Sequence, residues 1–227
     1  MPGKCWNFKK NKVPGDNLKL ADYFAADYDS SITDETWIGP HVIHLMLNSL
    51  LQAKSKILDL GIGTGASSKP LKKEGHIITG IDGSEKMLEV CKSKNIAEEL
   101  ILQDLEITPF PLTDNLFDAI ISNGVFHLVH PILPVIEEAK RLLIPGGYFV
   151  FTFEKESDLE ESNEIEPGIW EKKTKTGVLT YKHSTGYIFS KLRENNFDPL
   201  LQTEFLGYVN KELEKEFYFI AIAAKLT

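Results

Sequence analysis

Short, almost wholly apolar runs alternate with amphipathic segments between residues 56 and 153, and this rhythm limits the possible folds more than any other feature. Strands of a parallel sheet are buried on both faces, with helices packed on each side, so they are apolar along their whole length. The predicted strands are 56–60, 76–81, 100–103, 116–122 and 148–153, and the helices between them are 67–74, 84–94 and 131–143. The sequence therefore predicts an α/β fold with a mostly parallel sheet.

The flanking segments predict additions to this core rather than a second domain, because 227 residues suffice for one domain of ordinary size. Further helices are expected at 20–28, 36–51 and 184–195, and a terminal hairpin at 199–208 and 217–224. Residues 1–19 carry five lysines and predict a flexible arm, or a lid that orders over a ligand. The single domain then covers 20–227, with a helical cap at 20–52 and an insertion at 154–187. The acidic stretch 154–166 is expected to be a solvated loop.

Charge and composition exclude several classes of protein. The net charge of −8 is the opposite of what a nucleic-acid-binding surface needs. The longest apolar run, 217–224, is far shorter than the ~18–20 residues that cross a bilayer. Cys5 and Cys91 cannot form a disulfide framework or a four-thiolate zinc site. These features predict a cytoplasmic protein that binds neither nucleic acid nor membrane, and they leave the oligomeric state open.

A glycine-rich loop, ILDLGIGTGAS at residues 57–67, is the most informative motif. A hydrophobic strand runs into Gly61, Gly63 and Gly65, and a helix follows. Glycines allow a tight turn and a close approach of ligand to backbone, while the start of the helix offers free N–H groups. The alternative is a tight turn that binds nothing. The loop therefore favours a nucleotide-type ligand.

Two carboxylates at the ends of neighbouring predicted strands support the same interpretation. Asp82 ends the second strand, where it can accept both hydroxyls of a ribose or cap the next helix. Asp104 ends the third strand, where it can accept an adenine amino group or cap a turn, while the backbone N–H of Leu105 can meet a ring nitrogen. The loop and Asp82 alone also permit a nicotinamide dinucleotide.

The motifs together resemble the class I S-adenosylmethionine-dependent methyltransferases over residues 20–153. The matching segments are ILDLGIGTG at 57–65, GIDGSEKML at 80–88, LQDLEITPFPLTDNLFDAIISNGVFHLV at 102–129 and RLLIPGGYFVFT at 141–152. Within the superfamily they are most similar to small-molecule and uncharacterised members such as the Williams–Beuren-region methyltransferase. The resemblance implies a Rossmann-like, doubly wound sheet of strand order 3-2-1-4-5-7-6, with the last strand antiparallel.

The resemblance also implies roles for individual residues around an S-adenosylmethionine molecule, which would leave as S-adenosylhomocysteine. The methionine part is expected near Asp59 and the loop, with Asn123 beside the sulfonium, and the adenosine near Asp82, Asp104 and Leu105. Tyr28 is expected to close over the cofactor. The full set of expected cofactor contacts is Tyr28, Asp59, Gly61, Gly63, Gly65, Asp82, Gly83, Met87, Asp104, Leu105 and Asn123.

Several methyltransferase chemistries are excluded by the residues just after the fourth strand. Ser122-Asn123-Gly124-Val125 lacks the double proline of base and glutamine N-methyltransferases, and lacks the acids of magnesium-dependent enzymes. Cys5 and Cys91 lack the Pro-Cys context of cytosine methylation. No metal is therefore expected, and a small molecule is the expected acceptor. A non-catalytic activator subunit and a protein side-chain methyltransferase are the alternatives.

The candidate catalytic residues are His127, His183 and Tyr181, because segments after the fourth and fifth strands wall the ligand crevice of a parallel sheet. A neutral imidazole can remove a proton from a hydroxyl or ammonium acceptor. The alternatives are ordinary packing for His127 and a surface or capping role for His183. A carboxylate acceptor would need no base at all.

Overall fold

The structure is a computed structural model that describes residues 17–31, 37–156, 162–174, 177–210 and 215–227. The predictions for Cys5 and for residues 1–16 of the arm lie outside this part of the chain. The helices are α1 Asn17–Phe24, α2 Tyr28–Ser31, α3 Gly39–Asn48, α4 Ser68–Lys73, α5 Glu85–Ser93, α6 Leu133–Leu142 and α7 Thr185–Glu194. The strands are β1 Lys56–Leu60, β2 Ile77–Asp82, β3 Glu99–Leu102, β4 Phe117–Ser122, β5 Leu143–Glu154, β6 Asn163–Glu166, β7 Ile169–Lys173, β8 Leu179–His183, β9 Phe197–Asn210 and β10 Lys215–Leu226.

Seven strands form the main sheet in the order β3-β2-β1-β4-β5-β10-β9. The five strands from β3 to β5 are parallel, whereas β10 is antiparallel to both β5 and β9. Numbered within this sheet, the order is 3-2-1-4-5-7-6, so the predicted Rossmann-like topology is confirmed. In the register, Leu60 aligns with Ile81, and Asp82 with Leu102. The carboxyl ends of β1, β2 and β3 therefore meet at one edge, where such sheets bind ligands.

Helices cover both faces of the sheet, and successive residues of one strand point to opposite faces. Ile57 packs with α3, α4 and α5, and the next residue, Leu58, packs with α6 and α7. The near-continuous apolar character of the strands follows from this double burial, as predicted. The helical cap expected before β1 is formed by α1, α2 and α3.

The segment after β5 differs from the sequence prediction. The sequence predicts a loop over the acidic stretch 154–166, but Glu154 ends β5, and Asn163–Glu166 is a strand. Residues 157–161 of this stretch lie outside the described part of the chain. Strand β6 pairs with β7, which pairs with β8, in a separate three-stranded antiparallel sheet. All four residues of β6 are exposed, so this strand lacks the apolar alternation by which strands are recognised.

Candidate functional site

The loop after β1 requires its glycines for different reasons. Gly61, Gly63 and Gly65 all have positive φ, at +76°, +54° and +86°. A Cβ on Gly61 would lie 2.4 Å from Val125 Cγ2, and one on Gly65 would lie 2.6 Å from Ile96 Cδ1. A Cβ on Gly63 would meet nothing closer than 4.0 Å. Gly61 and Gly65 therefore let the loop pack closely, whereas Gly63 faces open space.

This open space belongs to a cleft at the carboxyl edge of β1 and β4. Four residues predicted from the sequence line it, namely Tyr28, Gly61, Gly63 and Asn123. The other lining residues, which sequence reasoning did not single out, are Trp37, Pro40, Ile62, Thr64, Ala66 and Ser67. Four of these, Ile62, Thr64, Ala66 and Ser67, lie between or just after the loop glycines, so the path of the loop places them in the cleft.

Asp82 stands at the end of β2 with its carboxylate fixed by the backbone groups of Gly63, Gly83 and Ser84. One oxygen accepts the N–H of Gly63 at 2.8 Å, and the other accepts the N–H of Ser84 at 2.8 Å. Burial raises the pKa of Asp82 above its ordinary range, and the neighbouring Asp22 adds to this rise. Each carboxylate oxygen has a second lone pair. The group is therefore held in place beside the cleft lining, and it keeps acceptor capacity for a ligand hydroxyl.

Tyr28 enters the cleft from α2. Burial, followed by the negative charges of Asp82 and Asp29, raises the pKa of Tyr28 to about 12, so its phenol stays protonated and can donate. The next residue fastens α2 to the glycine loop, because Thr64 donates its hydroxyl proton to Asp29 at 2.6 Å and Lys94 forms an ion pair with Asp29. Tyr28 is thereby positioned over the loop.

Asn123 follows β4 and is held from two sides. Its Nδ2 donates to the hydroxyl of Ser67 at 2.9 Å, and its Oδ1 accepts from Thr152 of β5 at 3.1 Å. Thr152 also accepts the N–H of Gly124 at 2.8 Å. The side chain amide is therefore fixed in the wall of the cleft.

Asp59 and Gly65 lie behind the cleft rather than in its lining. Asp59 is almost fully buried and accepts the Ser68 hydroxyl at 2.6 Å, so it anchors the start of α4. Burial, with a contribution from Asp82, raises the pKa of Asp59 to about 7. Gly65 packs on the end of α5 through Ile96 and Cys91.

The remaining predicted cofactor contacts lie near the tips of β2 and β3. Gly83 is covered by Leu18 of α1, and Met87 is buried in the first turn of α5. Asp104 accepts the N–H of Glu106 at 3.0 Å, which is the turn-capping role considered from the sequence. Leu105 packs in the core. The N–H of Gln103 donates to the carbonyl of Asp82 at 3.0 Å, which keeps the two strand tips together.

Trp37 is the cleft residue that sequence reasoning missed most clearly. Its indole lies against three glycines, since a Cβ would come within 2.5 Å of it at Gly39, 3.1 Å at Gly124 and 3.0 Å at Gly207. Its ring centroid is 5.0 Å from that of Phe219 in β10. Gly39 is a near neighbour of Trp37 in the sequence, but Gly124 and Gly207 come from distant segments, so no local pattern indicates that all three accommodate one indole.

The three candidate catalytic residues lie beside one another. The N–H of Tyr181 donates to the carbonyl of His127 at 2.9 Å, so β8 adjoins the loop after β4. Burial lowers the pKa of His127 to about 4. Burial, and then repulsion from His130 and His127, lowers the pKa of His183 to about 3. Both imidazoles are therefore neutral at physiological pH.

Other reactive groups have ordinary structural roles. Burial raises the pKa of the Cys91 thiol to about 11, which makes it a poor nucleophile. His44 contacts Glu74 at 2.6 Å. Within the described ranges, no three side chains of the His, Cys, Asp or Glu type are arranged to hold a metal ion. No helix in those ranges combines the length and the hydropathy needed to span a bilayer.

Comparison with known proteins agrees with the geometry. Residues 58–151 match the family model described as a methyltransferase domain. The chain is similar to a malonyl-acyl-carrier-protein O-methyltransferase of Buchnera aphidicola, with 32% identity over 157 residues that cover 65% of this chain and 59% of the relative. It is also similar to a demethylmenaquinone methyltransferase of Tropheryma whipplei, with 38% identity over 103 residues that cover 43% of this chain and 41% of the relative. The chain thus spans about half the length of these curated relatives.

A solved structure shares the whole fold. A SAM-dependent methyltransferase of Thermotoga maritima superposes with a TM-score of 0.67 and 18% identity, covering 92% of this chain and 99% of that one. At this identity the likeness concerns the fold alone.

Proposed function

We propose that this chain is an S-adenosylmethionine-dependent methyltransferase, taking the match of residues 58–151 to a methyltransferase domain as the premise. The acceptor is a small molecule that is methylated on oxygen or nitrogen. The assignment to the group that includes the Williams–Beuren-region methyltransferase, and the cytoplasmic location, rest on the sequence alone and stay predictions.

The observation that carries the proposal is the pairing of the β2 carboxylate with the glycine loop. Asp82 accepts the N–H of Gly63 and keeps acceptor capacity, and Gly63 leaves space that a Cβ would fill. A ribose placed against Asp82 brings the rest of a nucleoside-containing ligand along the loop toward Asn123. The residues present therefore fit the methyl donor, which supplies an electrophilic methyl group when bound.

The chain's own residues then bind, orient and exclude water. Asp82 would hold the ribose of the methyl donor, and the glycine loop and Asn123 would hold its methionine part. Tyr28 covers the cleft and donates from its protonated phenol. Bringing the methyl group and the acceptor into line supplies most of the acceleration. His127 or His183 accepts the proton that a hydroxyl or ammonium acceptor releases.

The names of the relatives support a small acceptor in different chemical forms. One relative is described as acting on a malonyl group carried by a protein, and another on demethylmenaquinone. The competing proposals are a protein side-chain methyltransferase and a non-catalytic activator subunit. Intact loop glycines and an intact β2 carboxylate favour an active enzyme over the activator.

Replacement of Asp82 tests the donor site. Asp82→Ala should weaken binding of S-adenosylmethionine by at least ~10-fold, because charge-assisted hydrogen bonds contribute about 1.5–3 kcal/mol each before compensation and 1.4 kcal/mol is one decade. Isothermal titration calorimetry measures the affinity for S-adenosylmethionine, and a parallel titration with NAD tests the alternative class of ligand.

Asp118→Ala is the matched control. Asp118 also accepts a backbone N–H, that of Lys56 at 2.7 Å, but at the opposite edge of the sheet. Its replacement should leave donor affinity unchanged. Equal affinity of the Asp82 variant and the wild type would refute the ribose assignment, and preferential binding of NAD would refute the proposed function.

A further inference from the structure

The strand β9 forms one edge of the main sheet and is longer than most strands. It spans Phe197–Asn210, which is 14 residues, and it pairs with β10 on one side. Among the described residues no strand pairs with it on the other side. An edge strand presents a row of backbone N–H and C=O groups that can hydrogen-bond to a further strand. One side of β9 is therefore available for a partner.

β9 has little of the protection that edge strands usually carry. The opposite edge strand, β3, has only four residues, and β6 of the small sheet carries two glutamates among its four. Short length and charge both discourage pairing with another chain. In β9 the pairing with β10 skips Leu200 and Gly207, so the ladder is regular over the six residues 201–206 between these two bulges.

The apolar side chains of this regular stretch are largely exposed. Leu201 and Leu206 are 43% and 37% exposed, and Leu200, at the adjoining bulge, is 44% exposed. Phe205 is buried within its own chain, which fixes its position in the strand. A second strand alongside β9 would remove these leucines from water, which is favourable.

Charge does not oppose pairing along this stretch. Glu204 is the only charged residue of 201–206, and its carboxylate accepts a hydrogen bond from Lys155 Nζ at 2.8 Å. The net charge of −8 on each copy opposes association at longer range, but salt screens that repulsion over ~8 Å at physiological ionic strength. The stretch therefore brings no unneutralised charge to a partner strand.

The order of residues in this stretch is complementary to itself when the second strand is antiparallel. In a two-fold interface every contact occurs twice, with the two copies exchanged. A register centred on Thr203 opposes Thr203 to Thr203, Gln202 to Glu204, Leu201 to Phe205 and Leu200 to Leu206. Apolar residues then meet apolar ones, and the glutamate meets an amide that can donate to it.

The neighbouring registers are less favourable. They differ by two residues, because the backbone groups that point away from β10 alternate along the strand. One of them opposes Glu204 to Glu204, and like charges directly opposite are destabilising. The other opposes Leu201 to Thr203, and it places Leu200 against the charged Glu204. The register centred on Thr203 is therefore preferred.

We propose that two copies of this chain associate through β9, as antiparallel neighbours centred on Thr203, so that their seven-stranded sheets join into one. The regular ladder is about 20 Å long, at ~3.4 Å per residue. An interface that consists mainly of one strand from each copy belongs to the small class, so the dimer is reversible and depends on concentration. This association goes beyond the proposed function and does not depend on it.

Sedimentation velocity at physiological salt measures the association. The mass of the wild type should rise from 25.6 kDa toward twice that value as the protein concentration increases from ~1 to ~300 μM, the range in which small interfaces form. Leu201→Lys should weaken the dimer by at least ~10-fold, because the symmetric interface loses Leu201 twice and edge lysines oppose strand pairing. Leu102→Lys is the matched control, because Leu102 is 55% exposed on β3 at the opposite edge of the sheet. Its replacement should leave association unchanged.

Cysteine cross-linking tests the register. In a Cys5→Ser background the remaining thiol, Cys91, is buried. Thr203→Cys should be joined to itself by a thiol reagent that spans ~5 Å, the Cβ separation of opposed residues. Gln202→Cys alone should not be joined, whereas a mixture of Gln202→Cys and Glu204→Cys should be.

Three results would overturn the inference. A purified chain that stays a monomer at every concentration would leave β9 to a strand of a different protein or to another segment of its own chain. A dimer that Leu201→Lys leaves intact, or that Leu102→Lys disrupts, would place the interface elsewhere. Cross-linking of Gln202→Cys to itself in preference to Thr203→Cys would contradict the register on which the proposal rests.

Discussion

Turnover should fall by ~10²–10⁴-fold when the imidazole that takes the acceptor's proton is removed, which is the usual contribution of a positioned general base. The variants are His127→Ala and His183→Ala. His183 ends β8, and the carbonyl of His127 accepts the N–H of Tyr181 in the same strand. Both side chains have buried nitrogens without a hydrogen-bond partner among the described residues. Donor affinity should stay near that of the wild type, since neither residue lines the donor cleft. Single-turnover kinetics with calorimetry in parallel separates these quantities.

The pH profile provides a second test of the same assignment. Burial holds the pKa of His127 at about 4 and that of His183 at about 3, so both bases remain neutral as the pH falls from 8 to 5. Turnover should therefore not decline near pH 6.5, where an exposed histidine titrates. Stability behaves differently, because the unfolded chain protonates these groups below ~6.5. As the pH falls from ~6.5 toward the folded pKa of each histidine, that histidine lowers the free energy of unfolding by up to about 1.4 kcal/mol per pH unit.

Near-normal turnover of both variants would remove the general base from the mechanism and leave positioning alone. That outcome points to an acceptor that needs no deprotonation, such as a carboxylate. A turnover decline centred near pH 6.5, at unchanged folded fraction, would place the base on an exposed histidine instead.

Gly61→Ala should lower the free energy of unfolding by about 2–5 kcal/mol. Part of this loss is the cost of a left-handed backbone for a residue with a Cβ, about 1–2 kcal/mol. The rest is overpacking, typically 1–3 kcal/mol, because the new methyl group would lie 2.4 Å from Val125 Cγ2. Chemical denaturation measures the change.

Gly75→Ala is the matched control for the backbone contribution. Gly75 has a similar φ, +88° against +76°, but nothing lies within 4 Å of its Cβ position. Gly75→Ala should lower the free energy of unfolding by only about 1–2 kcal/mol. The double variant Gly61→Ala, Val125→Ala should recover part of the loss. Equal destabilisation at both glycines would show that the contact between the loop and Val125 does not constrain the site.

The sequence predicted the sheet well because its strands carry a signal that does not depend on partners. Strands buried on both faces, such as β1 and β4, are apolar throughout. The glycines of the loop likewise predict a tight turn from the local sequence alone. β6 lacks this signal, since its residues are exposed and its pairing with β7 depends on contacts outside the strand itself.

The candidate site was predicted unevenly for the same reason. Gly63 and Asp82 are identified by their positions after strands, and the structure joins them by a hydrogen bond. Asp59 lies within β1, one residue before its end, and its burial against Ser68 is decided by packing. His127 and His183 were predicted from their positions after the fourth and fifth strands, whereas the place of Trp37 in the cleft depends on packing against Gly124 and Gly207 of distant segments, which periodicity does not reveal.

Transfer of an isotopically labelled methyl group tests the central claim most directly. The wild-type protein is incubated with methyl-labelled S-adenosylmethionine and a deproteinised metabolite extract, and the products are analysed by mass spectrometry. The account predicts a labelled small molecule formed together with an equal amount of S-adenosylhomocysteine. With Asp82→Ala, at a donor concentration below the wild-type dissociation constant, the labelled product should form at least ~10-fold more slowly. Binding of the donor without any labelled small molecule, or label found only on added protein, would contradict it.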